Sequence, residues 1–206
     1  GNVAACQTGL KPDQVGHEID VYELTCDILQ RGLRAPLLLR FNGILRGRVE
    51  ELAEAFNVAR EDFNYDAPYR SIYPIKVNQQ RHVVEQLLHG GKKAGLGLEV
   101  GSKPELLAVM GMKHGPNSLV ICNGYKDRDY IEMALLFSLL GVTVLIVVEK
   151  YTELATIIEA SRNLGIRPRI GVRMKPRVTG SGRWKDSGGD RSKFGLTSLQ
   201  IVEVIR

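Results

Sequence analysis

Short aliphatic runs alternate along this chain with stretches in which apolar residues recur every three or four positions. The pattern predicts a strand at 37–41, then a helix over 44–60 that places Leu45, Val49, Leu52, Ala53 and Phe56 on one face. A second strand is expected at 70–77, followed by a helix over 79–89 with Val83, Val84, Leu87 and Leu88 turned inward and Gly90 as its stop. Residues 96–100 read as a third strand, after which Ser102 and Glu105 have the spacing of a capping box. The unit recurs at 119–122 with a helix over 126–140, and at 142–148 with a helix over 151–164 closed by Gly165. A sixth strand is expected at 169–172, and beyond a glycine-rich loop Thr197 and Gln200 cap a further helix.

Six strands, each followed by a helix and nearly all short enough to be buried on both faces, indicate a parallel sheet with helical crossovers. A doubly wound sheet and a (β/α)8 barrel both satisfy that description. The polar residues separate them. Lys76, Asn78, Glu99, Asn123, Glu149 and Arg173 fall at the carboxyl ends of successive strands, where a barrel gathers its active site from several strands at once. A doubly wound sheet would instead carry a glycine-rich turn after its first strand, and Arg40-Phe41-Asn42-Gly43 is not that turn. The glycines of the 95–101 segment precede their strand, and the third comes one place late for a dinucleotide fingerprint.

The expectation is therefore an incomplete barrel over 37–206, with about six of its eight units, and an arm over 1–36 that lacks the repeating unit and belongs to a second, β-type domain. Six units leave unpaired sheet edges, so the 206 residues alone are expected to be inactive.

Composition trims the alternatives. The chain is 44% hydrophobic and 25% charged, an ordinary globular balance, and its 6% aromatic content makes the core aliphatic. The longest uncharged run, 133–148, is shorter than the roughly 20 residues a membrane span requires, and no secretory leader pattern opens the chain. A cytoplasmic location is the expectation. Cys6, Cys26 and Cys122 form no Cys-x-x-Cys pair and the four histidines no His-Glu-x-x-His helix, so neither a structural zinc site nor a zinc hydrolase is indicated. The net charge is +5, yet 167–193 alone holds nine basic residues against Asp186 and Asp190. With Trp184 its only large aromatic platform, that segment suits anionic ligand groups or an acidic partner surface better than nucleic acid.

Lys76 carries the chemistry to test first. A lysine at the end of a strand that points into a packed interior is desolvated, which lowers its pKa and frees the amine to form a Schiff base with a carbonyl. A strand-end lysine reaching water or a carboxylate is the plainer alternative.

Four separated motifs resemble one family. Tyr73-Pro74-Ile75-Lys76-Val77-Asn78-Gln79, Gly97-Leu98-Glu99-Val100-Gly101-Ser102-Lys103-Pro104-Glu105-Leu106, Val120-Ile121-Cys122-Asn123-Gly124-Tyr125-Lys126-Asp127 and Ser192-Lys193-Phe194-Gly195-Leu196 are similar, in this order, to the biosynthetic arginine decarboxylases. Those belong to the alanine-racemase-like class of pyridoxal phosphate (PLP) decarboxylases, a TIM barrel joined to a β-domain. The resemblance implies conversion of L-arginine to agmatine and CO2 in polyamine biosynthesis, with Lys76 binding PLP and Glu99 and Arg173 bordering it. An ion pair between Glu99 and Arg173 across the barrel interior is the competing account of those two residues. The resemblance further implies Mg2+, with no ligand assigned, and a homo-oligomer whose dimer contact lies near Lys193. The family's phosphate cup, proton-donating cysteine and substrate-reading acidic residues would lie beyond Arg206. A related PLP barrel acting on ornithine, lysine or diaminopimelate, or a noncatalytic PLP carrier, is the alternative.

Overall fold

A computed structural model of the chain describes residues 4–5, 18–115, 118–175 and 192–205. Cys6, His17 and most of the basic segment, including Arg177, Arg183, Trp184, Lys185 and Arg191, lie outside the described residues. Two compact units divide the chain, one of residues 1–71 with 80–94 and the other of 72–79 with 95–206.

In the first unit a short antiparallel ladder joins β1 (Ala4–Ala5) to β2 (Ile19–Asp20). Asp20 then caps α1 (Val21–Gln30), accepting from the backbone N–H groups of Tyr22 and Glu23 at 2.8 and 3.0 Å. Helix α2 (Asn42–Asp62) extends beyond the expected 44–60 at both ends, and α3 (Arg81–Gly90) packs against it. Gly90 ends α3 as expected, without a left-handed φ, and packs closely on α2, since a Cβ there would lie 2.7 Å from the Arg46 Cα. Of the expected α2 face, Val49 and Ala53 are buried, whereas Leu52 and Phe56 are exposed, Phe56 stacking on Tyr69 at 3.8 Å between ring centroids.

The second unit is built on a parallel sheet whose strands follow one another in chain order: β3 (Ile72–Pro74), β4 (Gly97–Val100), β5 (Leu119–Cys122), β6 (Thr143–Val148) and β7 (Arg169–Val172). Strictly sequential order without a reversal is how a (β/α)8 barrel wall runs, and it removes the doubly wound alternative, whose order reverses at a switch point. Helices α4 (Lys103–Met110), α5 (Arg128–Ser138) and α6 (Tyr151–Leu164) cover one face of the sheet. There Leu98, Val100, Val120, Cys122, Val144, Ile146 and Val148 are all but inaccessible to solvent. Capping follows the sequence closely. Asp127 accepts from the Tyr130 N–H at 3.0 Å at the start of α5, Gly165 ends α6 at φ +67°, and Thr197 and Gln200 exchange bonds at the start of α7 (Ser198–Ile205).

Two strand expectations change. Residues 37–41 belong to neither sheet, so the described sheet has five strands rather than six. An aliphatic run supplies strand propensity, but a strand exists only where a neighbour accepts its N–H and C=O groups, and no described segment does so. The strand expected over 70–77 shrinks to three residues because Pro74 brings no N–H to the ladder, and the chain tightens into a 3-10 turn over Ile75–Val77. That turn buries Ile75 and leaves Lys76 exposed, which overturns the expectation of a lysine pointing into a packed interior.

Candidate active site at the carboxyl ends of the strands

Strand register decides which polar residues meet. Pro74 lies beside Glu99, Glu99 beside Ile121, and Ile121 beside Leu145, so the period of two puts Glu99 and Asn123 on the sheet face opposite the covering helices. Asn123 Nδ2 donates to Glu99 Oε1 at 3.0 Å. Two strands further on, the Arg173 guanidinium donates from one terminal nitrogen to Glu149 Oε1 at 2.7 Å. The alternative account, an ion pair between Glu99 and Arg173, is not what forms: each pairs with the neighbouring strand end instead.

The loops that carry these side chains are locked to one another. Gly124, at φ +75°, brings its backbone so close to the β4 end that a Cβ would lie 2.1 Å from the Gly101 carbonyl oxygen. Asn123 N–H donates to the Val100 carbonyl at 2.8 Å, and the Tyr130 hydroxyl reaches the Val100 and Asn123 carbonyls at 3.0 and 3.2 Å. Ser102 Oγ accepts from the Glu105 N–H at the start of α4, while Glu105 Oε2 accepts from the Gly101 N–H at 2.7 Å. The capping reading of Glu105 therefore accounts for that residue.

Behind the strand ends sits a buried carboxylate that sequence reasoning missed. Glu153 accepts from the Lys126 N–H on one oxygen and from the Glu149 and Lys150 N–H groups on the other, which also pairs at 3.3 Å with the Lys126 ammonium, itself donating to the Gly124 carbonyl. The Lys126 side chain has no exposed surface and that of Glu153 4%. The signal was present in the sequence: Glu153 stands at the third position of α6, where a carboxylate can turn back onto the loop that precedes it. Nothing local in the sequence marks Lys126 as its partner, because the two come from different βα units.

Lys193-Phe194-Gly195-Leu196 continues the row past β7. Leu196 bridges Met174 in parallel, the Gly195 N–H donates to the Glu149 carbonyl at 2.9 Å, and the Tyr125 hydroxyl donates to the Lys193 carbonyl at 2.8 Å. Lys150 lies 3.4 Å from the Tyr125 ring centroid, and the Arg173 guanidinium 5.3 Å from that of Phe194.

Burial pushes the Cys122 thiol up to about 12, the Tyr130 hydroxyl and Lys126 charge offsetting part of it. Cys122 is thereby a neutral core residue on the helix-covered face. Burial likewise raises the Tyr130 hydroxyl. At the rim, a hydrogen bond from Lys103 holds the Asp127 carboxyl below its ordinary range, and that same bond raises the Lys103 ammonium.

A cavity of about 300 Å3, lined in part by Ser138, Gly141, Thr143, Arg167 and Arg169, opens at the amino ends of β6 and β7. It lies at the opposite end of the strands from Lys76, Glu99 and Arg173, and is not where the polar groups converge.

The strand ends fit a polar cofactor with an aldehyde. Glu99 Oε2 and Glu149 Oε2 are buried without a hydrogen-bond partner among the described residues, so each can accept from a bound group. Lys76 stands exposed after β3, with no ion pair or hydrogen bond to another described residue. Comparison with known proteins agrees. Residues 49–206 match the family described as pyridoxal-dependent decarboxylase, pyridoxal binding domain. The biosynthetic arginine decarboxylase of Gloeobacter violaceus is 50% identical over 188 residues, covering 91% of this chain and 29% of the relative. That of Phocaeicola vulgatus is 49% identical over 194 residues, covering 94% and 31%. The chain therefore spans about 30% of the length of the curated relatives it matches. The crystal structure of the biosynthetic arginine decarboxylase from Campylobacter jejuni superposes with a TM-score of 0.75 at 30% identity, over 90% of this chain and 29% of that one. A diaminopimelate decarboxylase from Helicobacter pylori shares the fold, with a TM-score of 0.60 at 22% identity, over 87% of this chain and 42% of that one. Sequential parallel strands, polar groups gathered at their carboxyl ends and a match over most of the chain lead to one conclusion: this chain belongs to the pyridoxal-dependent decarboxylases and carries their pyridoxal-binding domain.

Proposed function

We propose that this chain is the cofactor-binding part of an arginine decarboxylase, releasing CO2 from L-arginine to give agmatine for polyamine biosynthesis. The observation that carries the reading is the row of Lys76, the Glu99 and Asn123 pair, and the Glu149 and Arg173 pair at successive strand ends, in a chain about half identical to relatives named biosynthetic arginine decarboxylase. PLP, when bound, supplies an electron sink for the pair left on Cα as the carboxylate departs. Lys76 would hold the cofactor's aldehyde through its amine. Glu99, with one oxygen committed to Asn123, would offer its free oxygen to the cofactor, and Arg173 would border it as a fixed cation.

Borohydride reduction of the full-length protein followed by peptide mass spectrometry tests the cofactor site, with the pyridoxyl group expected on Lys76. Label on Lys103 or Lys126 instead would reject the assignment. A competition assay for CO2 release from arginine, ornithine and lysine tests the substrate. Arginine is expected to be preferred, and equal turnover of ornithine or lysine would move the protein to a neighbouring specificity within the family.

The reading extends to a homo-oligomer with Lys193 near the subunit contact, to an arm over 1–36 that belongs to a β-domain, and to a cytoplasmic location. Among the described residues no helix is long and apolar enough to cross a membrane. Mg2+ finds no support in the donor set, because no group of three or more His, Cys, Asp or Glu among the described residues could hold a metal ion. No step is assigned to it.

A further inference from the structure

We propose that Glu149 is a positioning residue for Arg173, fixing its guanidinium at the strand ends where the cofactor is read to bind; the proposal rests on that reading of Arg173. Glu149 follows directly on β6, and its side chain is 1% exposed, while that of Arg173 is 52% exposed. A half-exposed arginine has many rotamers of similar energy, and a buried, immobile carboxylate at 2.7 Å selects among them.

Two backbone bonds and the burial of its side chain hold Glu149 in place independently of Arg173. Its N–H donates to Glu153 Oε2 at 2.9 Å, its carbonyl accepts from Gly195 at 2.9 Å, and Oε1 takes the Arg173 bond. Glu153 is in turn fixed by Lys126, with 3.3 Å between ammonium and carboxylate. The Arg173 backbone is tied to the same hub, its N–H donating to the Val148 carbonyl and its carbonyl accepting from Leu196. Strand ends β5, β6 and β7 are thus joined through two carboxylates, Glu153 between β5 and β6 and Glu149 between β6 and β7.

The free Glu149 oxygen argues against a purely structural role. A buried carboxylate that satisfies only one oxygen within the described residues is a costly way to hold a loop, and an apolar or amide side chain would do so more cheaply. The charge is explained if it orients a cation that must not wander.

A double-mutant cycle in the full-length apoprotein decides the matter, read by titration with PLP and by thermal unfolding without it. Glu149→Gln is expected to weaken PLP binding about tenfold, the size of a charged hydrogen bond reduced to a neutral one. In an Arg173→Met background the same change is expected to add less than about twofold, because the residue it acts through is gone. Arg173→Met alone should melt lower than the double variant, since it strands a buried carboxylate. Glu149→Asp, which keeps the charge and withdraws it by one methylene, should weaken binding also. An equal effect of Glu149→Gln in both backgrounds, or none in either, would overturn the proposal while leaving the cofactor reading intact. No effect of Arg173→Met on PLP affinity, with the label found away from Lys76, would instead overturn the reading beneath it.

Discussion

Gly124 shows how much a single position can decide. Its φ of +75° already disfavours any side chain, and the Gly101 carbonyl oxygen, 2.1 Å from where a Cβ would sit, leaves no room for one. Gly124→Ala should cost about 3 kcal/mol or more, through backbone strain and overpacking together, measured as a fall in the denaturant midpoint. An unchanged midpoint would mean that the two loops can part freely. Cys122 makes a second case. With its thiol pushed up to about 12, the folded chain keeps it neutral, so its contribution to stability is complete below the ordinary thiol value of 9.0 and declines as pH rises toward 12. Iodoacetamide is expected to alkylate Cys122 only at the rate of unfolding, and prompt labelling of the native protein at pH 8 would contradict this.

Among the elements, α5 and α6 are held by acidic residues of contrasting burial. Asp127 caps α5 at the surface, where Asp127→Ala should cost about 1 kcal/mol. Its carboxyl is depressed, first by the Lys103 hydrogen bond and then by the Tyr130 N–H, so the charge contributes stability above the ordinary carboxylate value and loses it as pH falls through the folded value. Asp127→Asn keeps an acceptor and removes the charge. The stability gap between it and the parent should therefore narrow on acidification, and a gap independent of pH would refute the assignment. Glu153 works in the interior. Glu153→Ala strands the Lys126 ammonium with no exposed surface and frees three backbone donors, an expected loss of about 3–5 kcal/mol.

At the scale of the molecule, five sequential parallel strands bring the pairs of Glu99 with Asn123 and of Glu149 with Arg173 to one end of the sheet, and the cavity opens at the other. β3 and β7 each have one neighbour among the described residues, and two carboxylate oxygens at the strand ends have no donor there. Residues 1–206 alone, mixed with PLP and arginine, are accordingly expected to release no measurable CO2. Turnover by this segment would show that the five-strand site suffices.

Local patterns in the sequence were enough for the elements whose cause is local. The β5, α6 and β7 boundaries, the Gly165 stop and the Thr197 and Gln200 cap all follow from side-chain period and backbone chemistry within a few residues. The convergence of polar strand ends was also legible, because a parallel sheet with regular crossovers brings those ends to one side whatever its finer geometry. Tertiary structure decided the rest, where the deciding partner is distant in sequence. Residues 37–41 had the composition of a strand, but strand formation depends on a neighbour's hydrogen bonds. The exposure of Lys76 depended on the turn that Pro74 forces. The pairing of Glu99 with Asn123, of Arg173 with Glu149 and of Lys126 with Glu153 depended on strand register and loop approach, each bringing together groups 24 to 27 residues apart. A charge can be recognised from sequence, but its partner is chosen by the packing that removes water from both, and that is a property of the folded chain alone.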